Sequence, residues 1–356
     1  MIVVDSHLDL AFNALRYNRD LKLSVAETRR QEAGMADRQG RGAGTVAFPE
    51  LRRGEVALSF ATVCARVQQP SSEVCGFRSH ENAYGEAQGQ LAYYRELRRQ
   101  GVLRMIDDWP TLAAHLAEWQ SGEGAAPLGI VLAMEGADPI VEPSQAGAWW
   151  QDGLRVVSLA HYGPSLYAQG TGCVGPLTPA GRELLAEMER LGMILDLSHL
   201  SDESFWEAIE RFGGAIMASH SNCRALVPGG RQLSDDMLRG LIEHDGVIGS
   251  ALDDWMLYPG WVEGETRSEV VSLEDVVDHL DHVCQLAGNA RHAAIGSDLD
   301  GGYGTEQSPR DLDTIADLQK IPPLLAKRGY GEADVQAIMH GNWLRLLQSA
   351  WSSGPA

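Results

Sequence analysis

Residues 2–9, Ile2-Val3-Val4-Asp5-Ser6-His7-Leu8-Asp9, open the chain with a short β-branched run that ends in His-x-Asp. Val and Ile fit a pleated strand. Side chains of a strand alternate between its faces, so His7 and Asp9 are expected to point the same way. An open doubly wound sheet usually follows its first strand with a Gly-rich phosphate loop. The His-Leu-Asp ending favours a closed barrel instead. Seven further apolar runs lie at 56–63, 128–134, 154–160, 193–198, 215–219, 246–251 and 293–297, which makes eight candidate strands. All are short and apolar on both faces, as buried parallel strands are.

Helical spacing fills the gaps between them, at 80–100, 178–191, 202–212, 235–244, 272–287, 310–328 and 332–349. Thr178 stands before Pro179 as an N-cap. Ser201-Asp202-Glu203 and Ser234-Asp235-Asp236 place acidic residues in first turns, where the helix dipole favours them. Strand and helix alternating eight times predict an α/β fold, a (β/α)8 TIM barrel with a C-terminal closing helix, in one domain over 1–356. The Gly- and Arg-rich stretch 38–55 and the segment 162–177 lack periodicity and read as long loops over the barrel mouth.

The bulk properties narrow the partners. The chain is 44% hydrophobic and 22% charged, as ordinary globular proteins are. A formal charge of −20 argues against nucleic acid and anionic membrane surfaces, which need basic patches. Cys64, Cys75, Cys173, Cys223 and Cys284 are odd in number, widely spaced and free of C-x-x-C, so reduced thiols are expected. No apolar run nears the roughly 18–20 residues of a membrane span. Met1 leads straight into the first strand, and the tail Trp351–Ala356 has no lipid-anchor pattern. A cytoplasmic location without a membrane anchor is the expectation.

Several apolar runs end in side chains that bind metals or move protons. Glu135 closes Leu128-Gly129-Ile130-Val131-Leu132-Ala133-Met134; a carboxylate there needs a partner, whether a salt bridge, a turn at Gly136 or a metal. His199 and His220 end consecutive strands, and neutral imidazole is a common zinc ligand. Each alone reads equally as a hydrogen-bonded core histidine, but two at matching positions point to a common cause. Three His and two carboxylates at strand ends suit a two-metal hydrolase. Asp298, at the end of the last strand, suits proton transfer and lies nearer that strand than Asp300. His161 ends the fourth strand and could polarise a carbonyl. Arg231 could grip a carboxylate, although spacing alone makes it a solvated loop charge.

Taken in order, DSHLD at 5–9, AMEG at 133–136, LAH at 159–161, LDLSHLSD at 195–202, SHSNCRAL at 219–226, GGRQLSDD at 229–236, IGSDLDG at 295–301 and HGNWLRLL at 340–347 resemble the membrane dipeptidase (renal dipeptidase) family of binuclear zinc peptidases. The likeness runs from residue 5 to about 347. It implies a distorted (β/α)8 barrel with two Zn2+. His7, Asp9 and Glu135 would bind one, and Glu135, His199 and His220 the other, with Glu135 and a water or hydroxide bridging. Arg231 would hold the substrate carboxylate, His161 would act at the scissile carbonyl, and Asp298 would move the proton. The implied reaction is hydrolysis of L-Xaa-L-Xaa and L-Xaa-D-Xaa dipeptides by the bridging hydroxide. A metal-dependent amidase or lactonase is the rival. Relatives are often homodimers, and some open β-lactams. The chain departs from the family pattern at Ser6 and Leu8, usually Gly and Asn, at Cys223, usually Ala, after His161, and over 44–65. None of these removes a ligand; they bear on substrate preference.

Overall fold

The computed structural model describes residues 1–68, 75–122 and 126–352. The tail beyond Ser352, for which no lipid anchor is expected, lies outside them. Nine parallel strands form one sheet: β1 (Val3–Leu8), β2 (Val56–Cys64), β3 (Leu103–Met105), β4 (Leu128–Glu135), β5 (Leu154–Ser158), β6 (Ile194–Asp196), β7 (Ile216–Ala218), β8 (Val247–Ser250) and β9 (Ala293–Ile295). Eight of them run in the order β1-β2-β4-β5-β6-β7-β8-β9, a nearly closed (β/α)8 barrel. These are the eight read from the sequence. The ninth, β3, pairs with Leu128–Ile130 at the start of β4, below the point where β5 joins at Leu132.

Side chains close the seam between β1 and β9. Ser6 Oγ donates to the carbonyls of Ser219 (2.5 Å) and Ile295 (3.2 Å), and Ser297 N–H donates to Asp5 Oδ1 (2.9 Å). Backbones approach closely here. A Cβ on Gly296 would sit 1.7 Å from the Ser219 carbonyl oxygen, and one on Gly249 2.1 Å from it, so only glycine fits either position.

Val4, Phe60, Val131, Val156, Ile194, Met217, Val247 and Ala294 fill the barrel interior and pack on Trp343, Leu346 and Leu347 of the terminal helix Asn342–Ser352. Trp343 Nε1 donates to the Ile295 carbonyl (2.9 Å). That helix closes the barrel as expected. Its approach differs: 332–349 is not one α-helix but Glu332–Gln336, a π turn at Ala337–Gly341 and then the terminal helix. The stretch 38–55 is also not all loop, because Phe48–Arg53 forms a helix with a proline in its first turn. Segment 310–328 begins as turn and becomes a 3-10 helix at Ile315–Lys320 before the α-helix Ile321–Lys327. Among the described residues no helix is long and apolar enough to cross a membrane.

Candidate metal centre

Parallel strands bring their C-terminal ends to one rim, and the singled-out residues gather there. Glu135 is the last residue of β4, in register with Cys64 of β2. On β4, Val131 and Ala133 face the barrel interior, and the period of two carries Glu135 to the same side. The register of β1 slips between Asp5 and Leu8, so simple alternation breaks where His7 stands. His7 and Asp9 still converge, with Nε2 and Oδ1 3.9 Å apart. His199 and Asp298 sit just past β6 and β9 with positive φ, 68° and 56°, a conformation non-glycine residues seldom adopt except where a site demands it.

Glu135 Oε1 is the focus. The Nε2 atoms of His199, His220, His161 and His7 lie 3.2, 3.3, 3.4 and 3.6 Å from it. Nε2 of His199 and of His220 are 3.0 Å apart, and Asp298 Oδ1 is 3.8 Å from His7 Nε2. Four compact triads result, among them His7–Asp9–Glu135 and Glu135–His199–His220, each with its ligand atoms within 4.8 Å of one another. Glu135 belongs to both.

The far side of each ring fixes what the near side offers. Ser219 Oγ gives its one proton to Asp196 Oδ2 (2.5 Å), so towards His220 Nδ1 (2.7 Å) it acts as acceptor. Thr171 Oγ1 lies 3.0 Å from His199 Nδ1 and 3.3 Å from the His199 carbonyl, with one proton to give. His220 therefore carries its proton on Nδ1 and turns an Nε2 lone pair to the centre, as metal-binding histidines do. Thr62 Oγ1 hydrogen-bonds Asp9 Oδ1.

The electrostatics agree. Burial pushes His7 down to about 3 and His161 and His220 to about 4, and it lowers His199 well below an ordinary histidine. Burial thus favours the neutral form of all four rings. Burial raises Asp9 to about 7 and Asp298 well above the usual carboxylate range, with the Glu135 charge adding to both. Burial also opposes the charge on Glu135, but the surrounding rings, His161 and His7 foremost, hold its carboxyl well below the usual range. His7 Nε2 is buried and has no hydrogen-bond partner. Neutral imidazoles, crowded carboxylates and an orphaned ring nitrogen make an N/O donor set that fits divalent transition metals.

Asp9, Glu135, His161, His199, Arg231 and Asp298 line a cavity of about 550 Å³ at the barrel mouth. Arg231 is buried; Nη2 donates to the His220 carbonyl (2.7 Å) and Nη1 to Ser221 Oγ (3.2 Å). Asp300 faces away from the cavity. Its carboxylate accepts from Thr45 N–H (2.7 Å), Thr45 Oγ1 (2.8 Å), Val46 N–H (3.0 Å) and Arg19 Nη1 (3.3 Å). The cavity also exposes residues that spacing does not single out, among them Arg66, Tyr162 and Asp253. No local motif marks Arg66, whose contact with His161 spans 95 positions.

The family model described as membrane dipeptidase (Peptidase family M19) matches residues 1–353. Dipeptidase aclJ of Aspergillus oryzae is 30% identical over 319 residues, 85% of this chain and 69% of that protein. The crystal structure of a metallo peptidase called dipeptidase AC superposes with a TM-score of 0.80 at 25% identity, covering 99% of both chains. A metallo peptidase from Rhodobacter sphaeroides, liganded with a phosphinate mimic of the dipeptide L-Ala-D-Ala, shares the fold with a TM-score of 0.80 at 24% identity over 99% of both chains. This chain belongs to the membrane dipeptidase family, peptidase family M19, and is a metallo-dipeptidase of that family.

Proposed function

We propose that residues 1–356 act as one catalytic unit, a dipeptidase that holds two zinc ions and cleaves L-Xaa-L-Xaa and L-Xaa-D-Xaa dipeptides. The observation that carries this reading is the membership of Glu135 in both triads. His7 and Asp9 would hold one ion, His199 and His220 the other, and Glu135 both. Bound there, such a pair supplies Lewis acidity and brings the ionisation of water near neutral pH.

The chain's own residues supply the rest. A guanidinium has five N–H donors, and Arg231 has named partners for two of its groups. The donors turned to the cavity would bind the C-terminal carboxylate of the substrate in a fork. A cavity of about 550 Å³ suits a small ligand, and a carboxylate anchor beside the metal ligand His220 favours dipeptides over longer chains. Asp298 faces the same cavity and would pass a proton from the attacking water to the departing amine. His161 would steady the oxygen of the scissile carbonyl. The ligand of the Rhodobacter sphaeroides relative mimics L-Ala-D-Ala, and we extend that stereochemistry to this chain. Five unpaired thiols suit a reducing compartment, the cytoplasm.

A panel of L-L and L-D dipeptides tests the reading. The zinc-loaded protein is expected to turn over members of the panel. A chelator should abolish turnover and lower the thermal midpoint, because an ion that binds only the folded state stabilises it; added zinc should restore both. No turnover of any member by fully metallated protein would reject it, and hydrolysis of N-acyl amides or lactones alone would install the amidase or lactonase rival.

A further inference from the structure

We propose that Arg66 is a positioning residue: its guanidinium fixes His161 in the Nε2–H tautomer, so that His161 offers the scissile carbonyl a hydrogen-bond donor and not a lone pair. Arg66 Nη1 lies 2.9 Å from His161 Nδ1. A guanidinium has donors and no acceptor, so Nδ1 must accept. A neutral imidazole that accepts at Nδ1 carries its proton on Nε2. That Nε2 faces Glu135 Oε1 at 3.4 Å, where an acceptor awaits it.

The contrast with the neighbouring rings makes the assignment specific. His220 turns Nδ1 to Ser219 Oγ, whose proton is spent on Asp196, and His199 turns Nδ1 to a neutral hydroxyl, Thr171 Oγ1. His220 therefore presents a lone pair to the centre. His161 alone of the three has a cationic donor behind it, and it presents a proton. Two imidazoles that look alike around one carboxylate, His220 and His161, are thus divided by their outer partners into a candidate metal ligand and a hydrogen-bond donor. The division also removes the grouping of Cys64, Glu135 and His161 from the metal candidates, since a protonated Nε2 has no lone pair to give.

Arg66 is built to hold this position. Its Nε donates to the Cys75 carbonyl (2.7 Å), and the guanidinium lies 6.0 Å from the centre of the Tyr162 ring, which itself packs edge-on against His161 at 4.9 Å. Its positive charge beside Nδ1 polarises the ring and strengthens the Nε2–H donor. Donors placed in advance where negative charge develops contribute to the rate and not to ground-state binding.

The tautomer stands on the geometry alone; its consequence for the carbonyl rests on the dipeptidase reading. Two readouts keep these apart. In zinc-loaded protein labelled with 15N-histidine, and assigned by comparison with His161→Asn, the His161 resonances should show a protonated Nε2 and an unprotonated Nδ1 at neutral pH. In Arg66→Met that signature should be lost, while zinc content stays unchanged. On the best dipeptide, kcat should fall by about 10–100-fold, the usual effect of removing an outer partner, with KM nearly unchanged. Arg66→Lys, which keeps a cationic donor, should recover the signature and most of the rate. A proton on Nδ1 of His161 in the native protein would overturn the proposal. So would an Arg66→Met protein that keeps both the native signature and the native kcat. A native protein that shows the signature but cleaves no dipeptide would instead reject the dipeptidase reading.

Discussion

Replacing Glu135 with Gln is expected to strip metal from both halves of the centre and to lower kcat/KM by well over a hundredfold. The carboxylate lies within 3.6 Å of four imidazole Nε2 atoms and is shared by both triads. Changing an outer partner of a ligand costs about 10–100-fold in affinity or activity; changing a shared ligand removes more. Gln keeps the size but not the charge. Its amide has one oxygen for metals, and its NH2 has no acceptor among ring nitrogens committed to metal. The variant should fold, because its side chain is nearly isosteric and the β2–β4–β5 ladder is untouched. Metal per chain after desalting, measured beside circular dichroism and rate, checks the expectation. A native-like zinc content in a folded Glu135→Gln protein would show that Glu135 does not bridge.

The barrel and the residues gathered at its rim are legible in the sequence for one physical reason. A parallel strand buried on both faces is an unbroken apolar run, and a polar residue that ends it stands at the catalytic rim. Glu135, His199 and His220 announce themselves in this way. β3 does not, because Leu103–Met105 is three residues with Arg104 in the middle, too short for periodicity to register. The helix Phe48–Arg53 hides in a Gly- and Arg-rich stretch, although Pro49 in its first turn is the signal that marks it. The helix Trp109–Ser121 carries the same kind of mark, an Asp108 cap whose side chain accepts from Thr111 N–H, followed by Pro110. What the sequence withholds is the outer partners. Thr62, Thr171, Ser219 and Arg66 meet Asp9, His199, His220 and His161 across separations of 1 to 95 positions, and each is an ordinary polar residue until the fold closes. Nearness to the strand favours Asp298 over Asp300, and in the fold Asp300 is engaged by Thr45, Val46 and Arg19.

That engagement underlies the second large effect. Replacing Arg19 with Met is expected to destabilise the folded protein by about 3–5 kcal/mol, the cost of removing one partner from a buried ion pair. Arg19 is 5% exposed and forks onto Glu32, with Nε to Oε1 at 2.8 Å and Nη2 to Oε2 at 3.0 Å. Its Nη1 also reaches Asn13 Oδ1 (2.8 Å) and Asp300 Oδ2 (3.3 Å). Arg41 remains beside Glu32 in the variant, but Asp300 is left in the interior with neutral donors only. Burial already raises its carboxyl above the usual range and Arg19 is the group that opposes this most, so the variant should shift Asp300 further towards its protonated form. A protonated carboxyl accepts its three remaining hydrogen bonds less well. The loss should reach the site as well. Asn13 Nδ2 donates both to the Asp9 carbonyl (3.0 Å) and to the Asp300 carbonyl (2.9 Å), tying a predicted metal ligand to the loop that carries Asp298. With Arg19 gone, that loop, which carries Asp298 and Asp300 at positive φ, loses one of its side-chain contacts. Urea and thermal midpoints should both fall, and kcat should drop even at temperatures where the variant remains folded. An unfolding free energy within about 1 kcal/mol of the native protein's would mean that the barrel mouth is held by its backbone, and that this buried charge network is not what sets the position of the Asp298 loop.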